Sequence, residues 1–295
     1  MKLALGTVQF GLDYGISNNM GITTYEEVKK ILRLAEQKGI VLLDTAPAYG
    51  KSEEILGNCL WAKHNFRIVT KTPVYTKTSI DKKDGQYLKE TFQASLDRLR
   101  QPLLYCLLIH QVGNLFLSNG NILWEAMKEL KAAGLVKKIG VSVYSPEQIK
   151  KVLAQYSPDV IQAPINVFDQ RLIRNGYLKQ LKKQGIELHG RSVFLQGLLL
   201  MSLVEIPKYF DPFKPLLNRY HKSLQKRGVS LLSAALGFVY GLPEIDYILV
   251  GVNSESHFKE IIEAVDKLHS LDQFNFSEYT VNDESLINPS LWNVT

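Results

Sequence analysis

Four side chains able to hold or move a proton stand at or just beyond the ends of apolar runs in the first 110 residues: Asp44, Tyr49, Lys71 and His110. Asp44 closes the run 41–44, and Tyr49 follows it across a short turn marked by Pro47 and Gly50. Lys71 ends the run 67–71, and His110 follows the run 104–109. A phenol has an ordinary pKa of about 10, too high for easy donation and return of a proton near neutrality. A lysine cation beside it favours the phenolate and brings that value down. A carboxylate paired with the lysine keeps it charged and in place, and a histidine can orient a carbonyl oxygen or share the proton. The set suits protonation of a carbonyl oxygen while hydride arrives from elsewhere. No side chain supplies hydride, so a nicotinamide cofactor is implied. Each residue alone has a plainer reading: Asp44 capping a turn, Tyr49 packing on a rim, Lys71 solvated, His110 satisfied in a core. Lys71 is also open to reading as a Schiff-base lysine of an aldolase. The joint placement at strand ends carries more information than any one of them.

The elements that must position these residues alternate. Strand-like runs fall at 3–6, 41–44, 67–71, 104–109, 138–143, 159–162, 186–191 and 247–250, the last ending at Gly251. Helical patterns lie between them at 25–38, 52–61, 87–99, 122–133, from Ser145 onward, 171–185, 230–240 and 254–268. Alternating strands and helices argue for a parallel sheet. Eight such units with no break in composition argue for an α/β chain folded as a single (β/α)8 TIM barrel over 1–295, with chemistry at the C-terminal ends of its strands. Residues 201–215, with three prolines, form a long irregular stretch expected as a lid on that face. The polar tail 271–295 carries a late Trp292, and nothing in the sequence fixes its path.

Composition excludes several classes. The chain is 45% hydrophobic and 22% charged, normal for a soluble globule. The net charge of +6 is scattered over helix surfaces, and no motif supports nucleic-acid binding. A positive field favouring an anionic cofactor is the functional alternative. Cys59 and Cys106 sit in apolar runs without metal-ligand spacing, as buried free thiols of a reducing compartment. No run is long enough to span a membrane, and a cytoplasmic location is expected.

The pattern resembles the aldo-keto reductase family. Leu5-Gly6-Thr7, Leu43-Asp44-Thr45-Ala46 with Tyr49-Gly50 and Ser52-Glu53, Thr70-Lys71, Leu108-Ile109-His110, the run from Gly134 to Ser142, Gln162 and Leu195-Gln196-Gly197-Leu198-Leu199 carry the resemblance, in order, across nearly the whole chain. It implies a barrel binding NADPH, with NADH as the alternative, in extended form. No G-x-G-x-x-G fingerprint is present. It implies Tyr49 as general acid, Lys71 and Asp44 as residues that tune it, and His110 as the residue orienting substrate. Gly6 and Thr7 would lie near the nicotinamide ribose, and Ser142 and Gln162, with Asn166 nearby, at the carboxamide. Backbone amides around Gln196, Gly197 and Leu198 would meet the pyrophosphate, and Gly251, Asn253, His257 and Lys259 would surround the adenosine 2′ position. Three positions depart from the family pattern. Val143 stands where Asn often follows the carboxamide serine, Arg191 where an aromatic ring often stacks on the nicotinamide, and Asn253 where a basic residue often grips the 2′-phosphate.

The implied activity is reduction of an aldehyde or ketone to an alcohol, by a monomer or small homo-oligomer. Gln9, Phe10, Tyr14, Tyr75 and Gln111 are the expected substrate lining, a mixture suited to a polar carbonyl such as a sugar. The alternative is a nucleotide-binding sensor or protein-partner subunit of the same fold with little turnover.

Overall fold

The computed structural model describes residues 1–268 and 274–294. Eight strands, β1 (Leu3–Gly6), β2 (Leu42–Asp44), β3 (Arg67–Lys71), β4 (Leu104–Ile109), β5 (Val136–Ser142), β6 (Val160–Pro164), β7 (Glu187–Arg191) and β8 (Tyr247–Gly251), form a closed barrel in chain order. All pairings are parallel, and β8 returns onto β1. The expected (β/α)8 barrel is the observed fold.

Side chains alternate across a strand, so residues two apart share a face. Ala4, Leu42, Val69, Leu108, Val160 and Leu249 fill the barrel interior as one apolar cluster. Two residues further along, the same inward face presents Gly6, Asp44, Lys71, His110, Gln162 and Gly251. The sequence therefore stacks an apolar plug below and a polar layer above with one two-residue step per strand. A second, larger cluster lies between the strands and the surrounding helices.

The floor of the barrel is ionic. Glu187 accepts from Lys138 Nζ at 2.6 Å, from Tyr105 Oη at 2.8 Å, and meets His189 Nε2 at 2.8 Å. Burial alone would raise the Glu187 carboxyl, but His189 and Lys138 bring it down to about 2. Its folded pKa lies below the ordinary carboxylate value, so its stabilisation is present above about pH 4.5 and is lost as pH falls towards 2. We expect urea unfolding, followed by tryptophan fluorescence, to show wild type losing on the order of 3 kcal/mol more than Glu187→Gln between pH 5 and pH 2. An equal loss in both proteins would remove Glu187 from the acid response.

Local signals explain the helices and their departures from expectation. Thr24 caps the helix Tyr25–Gln37 by accepting from Glu27 N, and its Val28, Ile31, Leu32 and Ala35 are buried. The helix expected from residue 87 begins at Lys82, because Asp81 and Asp84 form a capping box ahead of Gly85, which reads as a breaker. The helical stretch 171–185 is two pieces, Arg171–Arg174 and Tyr177–Lys183, separated at Gly176 with φ of 71°. A helix at Lys214–Lys226 replaces part of the long connection expected after β7. No residue of 201–215 reaches the cleft described below, so the lid expected there is not one. Instead its Phe210 is fully buried, edge-on to Trp292 at 4.8 Å, and Tyr209 Oη donates to Ser285 O. That segment clamps the tail.

The tail folds back onto the barrel over 274–294, while 271–273 and 295 lie outside the described residues. Val281 N donates to Phe168 O at 2.8 Å, Gln170 Nε2 to Phe276 O at 2.7 Å and Arg171 Nη1 to Glu284 at 2.9 Å. Tyr279, Leu286 and Ile287 are buried. Among the described residues no helix is long and apolar enough to cross a membrane, and no cluster of side chains could hold a metal ion.

Candidate active site

The turn that carries Tyr49 is fixed by a buried hydroxyl cluster. Thr7 Oγ1 donates to Asp44 O at 2.9 Å, and Ser52 Oγ donates to Thr7 O at 2.8 Å and lies 3.1 Å from Thr45 Oγ1. The short helical turn Val8–Gly11 packs backbone to backbone against it. A Cβ at Gly11 would sit 1.9 Å from Tyr49 O, so only glycine permits that approach. Glu53 does more than begin its helix. Buried, it accepts from Thr70 Oγ1 at 2.6 Å, from Ser95 Oγ at 3.1 Å and from Arg98 at 2.7 Å. It thereby ties the Tyr49 turn to the end of β3, one residue before Lys71.

Lys71 Nζ donates to Asp44 Oδ1 at 2.6 Å and to Thr45 O at 2.9 Å, with the pair almost wholly buried. Gln162 Nε2 donates to the other carboxylate oxygen, Asp44 Oδ2, at 2.8 Å. The Tyr49 ring centroid lies 4.8 Å from Lys71 Nζ. His110 stands edge-on to Tyr49, with centroids 6.0 Å apart and ring planes at 86°. The four residues expected at strand ends therefore meet.

Their electrostatics differ from expectation at one point. Burial pushes the Tyr49 phenol above its ordinary value, and the Lys71 ammonium pulls against this without reversing it. The expected lowering of Tyr49 towards neutrality is thus corrected: desolvation exceeds the attraction of a cation already shared with Asp44. Tyr49 is a neutral phenol, a proton donor from the outset. Burial opposes the Lys71 charge, but Asp44 and Tyr49 raise its pKa overall. Burial and the Lys71 ammonium push His110 down to about 4, against the pull of Asp44, with Arg191 adding to the push. His110 is therefore neutral near pH 7. We expect the pH profile of kcat/KM to show no inflection near about 6.5, where an unperturbed histidine titrates. An inflection there that vanishes in His110→Asn would contradict a neutral imidazole.

Tyr49, Lys71, Asp44 and His110 line one end of a cleft of ≈ 680 Å³, within the usual range for ligand sites. Gly6, Thr7, Ser142, Gln162, Arg191, Gln196, Gly197, Gly251, Asn253 and His257 line it too. Leu198 does not: its side chain is fully buried. Asn166 is also outside, its amide spent on Ser192 O, Phe168 N and Asp169 N. Of the expected substrate lining, Gln9 and Tyr14 reach the cleft. Phe10 and Tyr75 are buried in the core, and Gln111 is exposed away from it. The Thr7 hydroxyl is committed to the Asp44 turn, so Thr7 serves as a positioning residue.

The roof is the first loop. Ile16 N donates to Gln196 O at 3.1 Å, Gln196 Nε2 to Tyr14 Oη at 3.2 Å and Asn253 Nδ2 to Gly21 O at 3.0 Å. Gly197 lies against Ser17, whose Oγ would be 1.8 Å from a Cβ there. An elongated ligand lying between Gly6 and Gly197 would be clasped. The polar lining fits a dinucleotide: a Ser142 hydroxyl, the Gln162 Oε1 as acceptor, and a Gln9 amide whose Oε1 is buried without a partner.

Two features escaped sequence reasoning. Tyr144 stacks on the Arg191 guanidinium at 4.1 Å, and Arg191 donates to Val143 O at 3.0 Å. Tyr144 follows β5 by two residues, so its strand-end position was the available signal. The roof residues Ser17, Asn18, Asn19 and Met20 carried no motif.

A family model described as the aldo/keto reductase family matches residues 2–279. The chain is 28% identical to the aldo-keto reductase YhdN of Bacillus subtilis, over 96% of this chain and 91% of that one. It is 27% identical to L-galactose dehydrogenase of Arabidopsis thaliana, over 94% and 90%. Among solved structures it superposes on the aldo-keto reductase AKR11C1 of Bacillus halodurans with a TM-score of 0.71 at 21% identity, covering 90% of this chain and 86% of that one.

Proposed function

The chain belongs to the aldo/keto reductase family of NAD(P)H-dependent oxidoreductases, and from that premise we propose that its cleft reduces a carbonyl to an alcohol with Tyr49 as the general acid. The observation that carries this reading is the convergence of the buried Lys71–Asp44 pair, Tyr49 and His110 at one end of the cleft. When bound, the dinucleotide supplies hydride to the carbonyl carbon. Tyr49 gives its proton to the carbonyl oxygen as negative charge develops there. His110, neutral, donates one N–H to the same oxygen and fixes its direction. Lys71 stabilises the phenolate left on Tyr49, and Asp44 and Thr45 O hold the ammonium at the required spot. Gln162 keeps Asp44 from rotating. Because Gln162 Nε2 is engaged there, its Oε1 is the atom left to accept from a carboxamide, with Ser142 beside it. Gln196, at the clasp, faces the pyrophosphate, while the Gly197 amide is spent on Phe194 O at 2.9 Å.

The substrate reading is a polar, hydroxylated carbonyl. Tyr14, Tyr144 and Arg191, beside Tyr49 in the lining, support it. So does the name of one relative, an L-galactose dehydrogenase. The test is oxidation of NADH and NADPH, followed by absorbance, with a panel of aldoses, hydroxyaldehydes and aryl aldehydes. Turnover with the hydroxylated members supports the proposal. Nucleotide binding without turnover on any carbonyl would favour a sensor instead.

A further inference from the structure

Hydride must be delivered beside Tyr49, so a bound dinucleotide has its nicotinamide at that end and its adenosine at the other. The other end is walled by Asn253, His257, Glu260 and Ile261, around the start of the helix Glu255–Asp266. Its charge is unusual for a site meant to hold a phosphate dianion. The lysine and arginine in the cleft lining are Lys71 and Arg191, both at the catalytic end. At the adenosine end the nearest cation along the helix, Lys259, is paired with Glu255 at 2.9 Å and stays outside the lining. Two of the helix's N-terminal amides are already satisfied. Glu255 N donates to the Glu27 carboxylate at 2.9 Å, and His257 N to Ser254 Oγ at 3.2 Å. Glu27, itself paired with Lys30 at 2.7 Å and outside the lining, thus takes one amide an anion would seek at this helix start, and the carboxylate that faces the cleft is Glu260.

We infer that this cleft selects NAD(H) over NADP(H), through Asn253 and Glu260 at the adenosine ribose. A neutral 2′-hydroxyl can donate to a carboxylate or pair with the Asn253 amide, as acidic residues do for NAD in other folds. A 2′-phosphate there would face the Glu260 carboxylate, with no lysine or arginine among the described lining residues at that end. Asn253 is also committed: its Nδ2 holds Gly21 O of the roof. The inference rests on the cleft being a dinucleotide site.

The test is isothermal titration of the full chain with NAD+ and, separately, NADP+, without substrate. The expected result is NAD+ binding at least about tenfold tighter than NADP+. Asn253→Arg should then shift the ratio of NADP+ to NAD+ affinity by at least about tenfold towards NADP+. Glu260→Gln, which removes the carboxylate from this end of the lining, should shift the same ratio towards NADP+. NADP+ binding as tightly as NAD+ would overturn the inference, as would an Asn253→Arg protein with an unchanged ratio. Binding of neither nucleotide would instead overturn the reading of the cleft itself.

Discussion

Tyr49→Phe is expected to lower kcat for carbonyl reduction by about a hundred- to ten-thousand-fold, the usual scale for a lost general acid. Dinucleotide affinity should stay within about twofold, because the phenol acts on the substrate oxygen and the ring remains. The ring still packs against His110 and over Lys71, so the turn should keep its geometry. The measurement is steady-state reduction beside titration of the nucleotide. A Tyr49→Phe enzyme with near wild-type kcat would place the acid elsewhere. The residual rate should also fail to recover at low pH, because neutral His110 is no substitute donor until about pH 4.

Lys71→Met should remove both rate and stability. The ammonium is the partner of a buried carboxylate, and breaking such a pair from one side costs about 3–5 kcal/mol. Asp44 would retain only the Gln162 amide. The turnover loss and the stability loss have different causes, and a double variant separates them. Asp44→Asn combined with Lys71→Met removes the stranded charge, so much of the stability should return. The rate should not return, since no cation remains beside Tyr49. Thermal unfolding and kcat on the two variants check this. If the double variant regained both, Lys71 would serve the fold alone.

The barrel was legible because its strands are short apolar runs ended by punctuation. Every strand appeared within two residues of its expected place. The four residues proposed as catalytic were legible for a related reason. On an inward face of period two, a polar residue two positions beyond an apolar plug residue must point into the mouth. Asp44 after Leu42, Lys71 after Val69 and His110 after Leu108 all obey that step. What sequence could not give was anything set by contacts between distant loops. The segment 201–215 looked like a lid by length and prolines, yet Phe210 is bound to Trp292 far along the chain. The true roof, residues 14–20, is held by Gln196 and Asn253, partners that no local pattern announces. The pKa of Tyr49 was misjudged in direction because a neighbouring cation is visible in sequence, whereas the depth of burial is not. Thr7 and Glu53 lost or gained roles for the same reason: their hydrogen-bond partners lie up to 45 residues away.

The central claim is that hydride passes from a dinucleotide in this cleft to a carbonyl carbon protonated on oxygen by Tyr49. Reduction of an active hydroxyaldehyde with NADH deuterated at the transferable ring position, followed by mass spectrometry of the alcohol, tests it most directly. The account predicts one carbon-bound deuterium per alcohol formed, at the former carbonyl carbon, and loss of product formation in Tyr49→Phe. An alcohol without label, or with carbon-bound label drawn from heavy water instead, would contradict it.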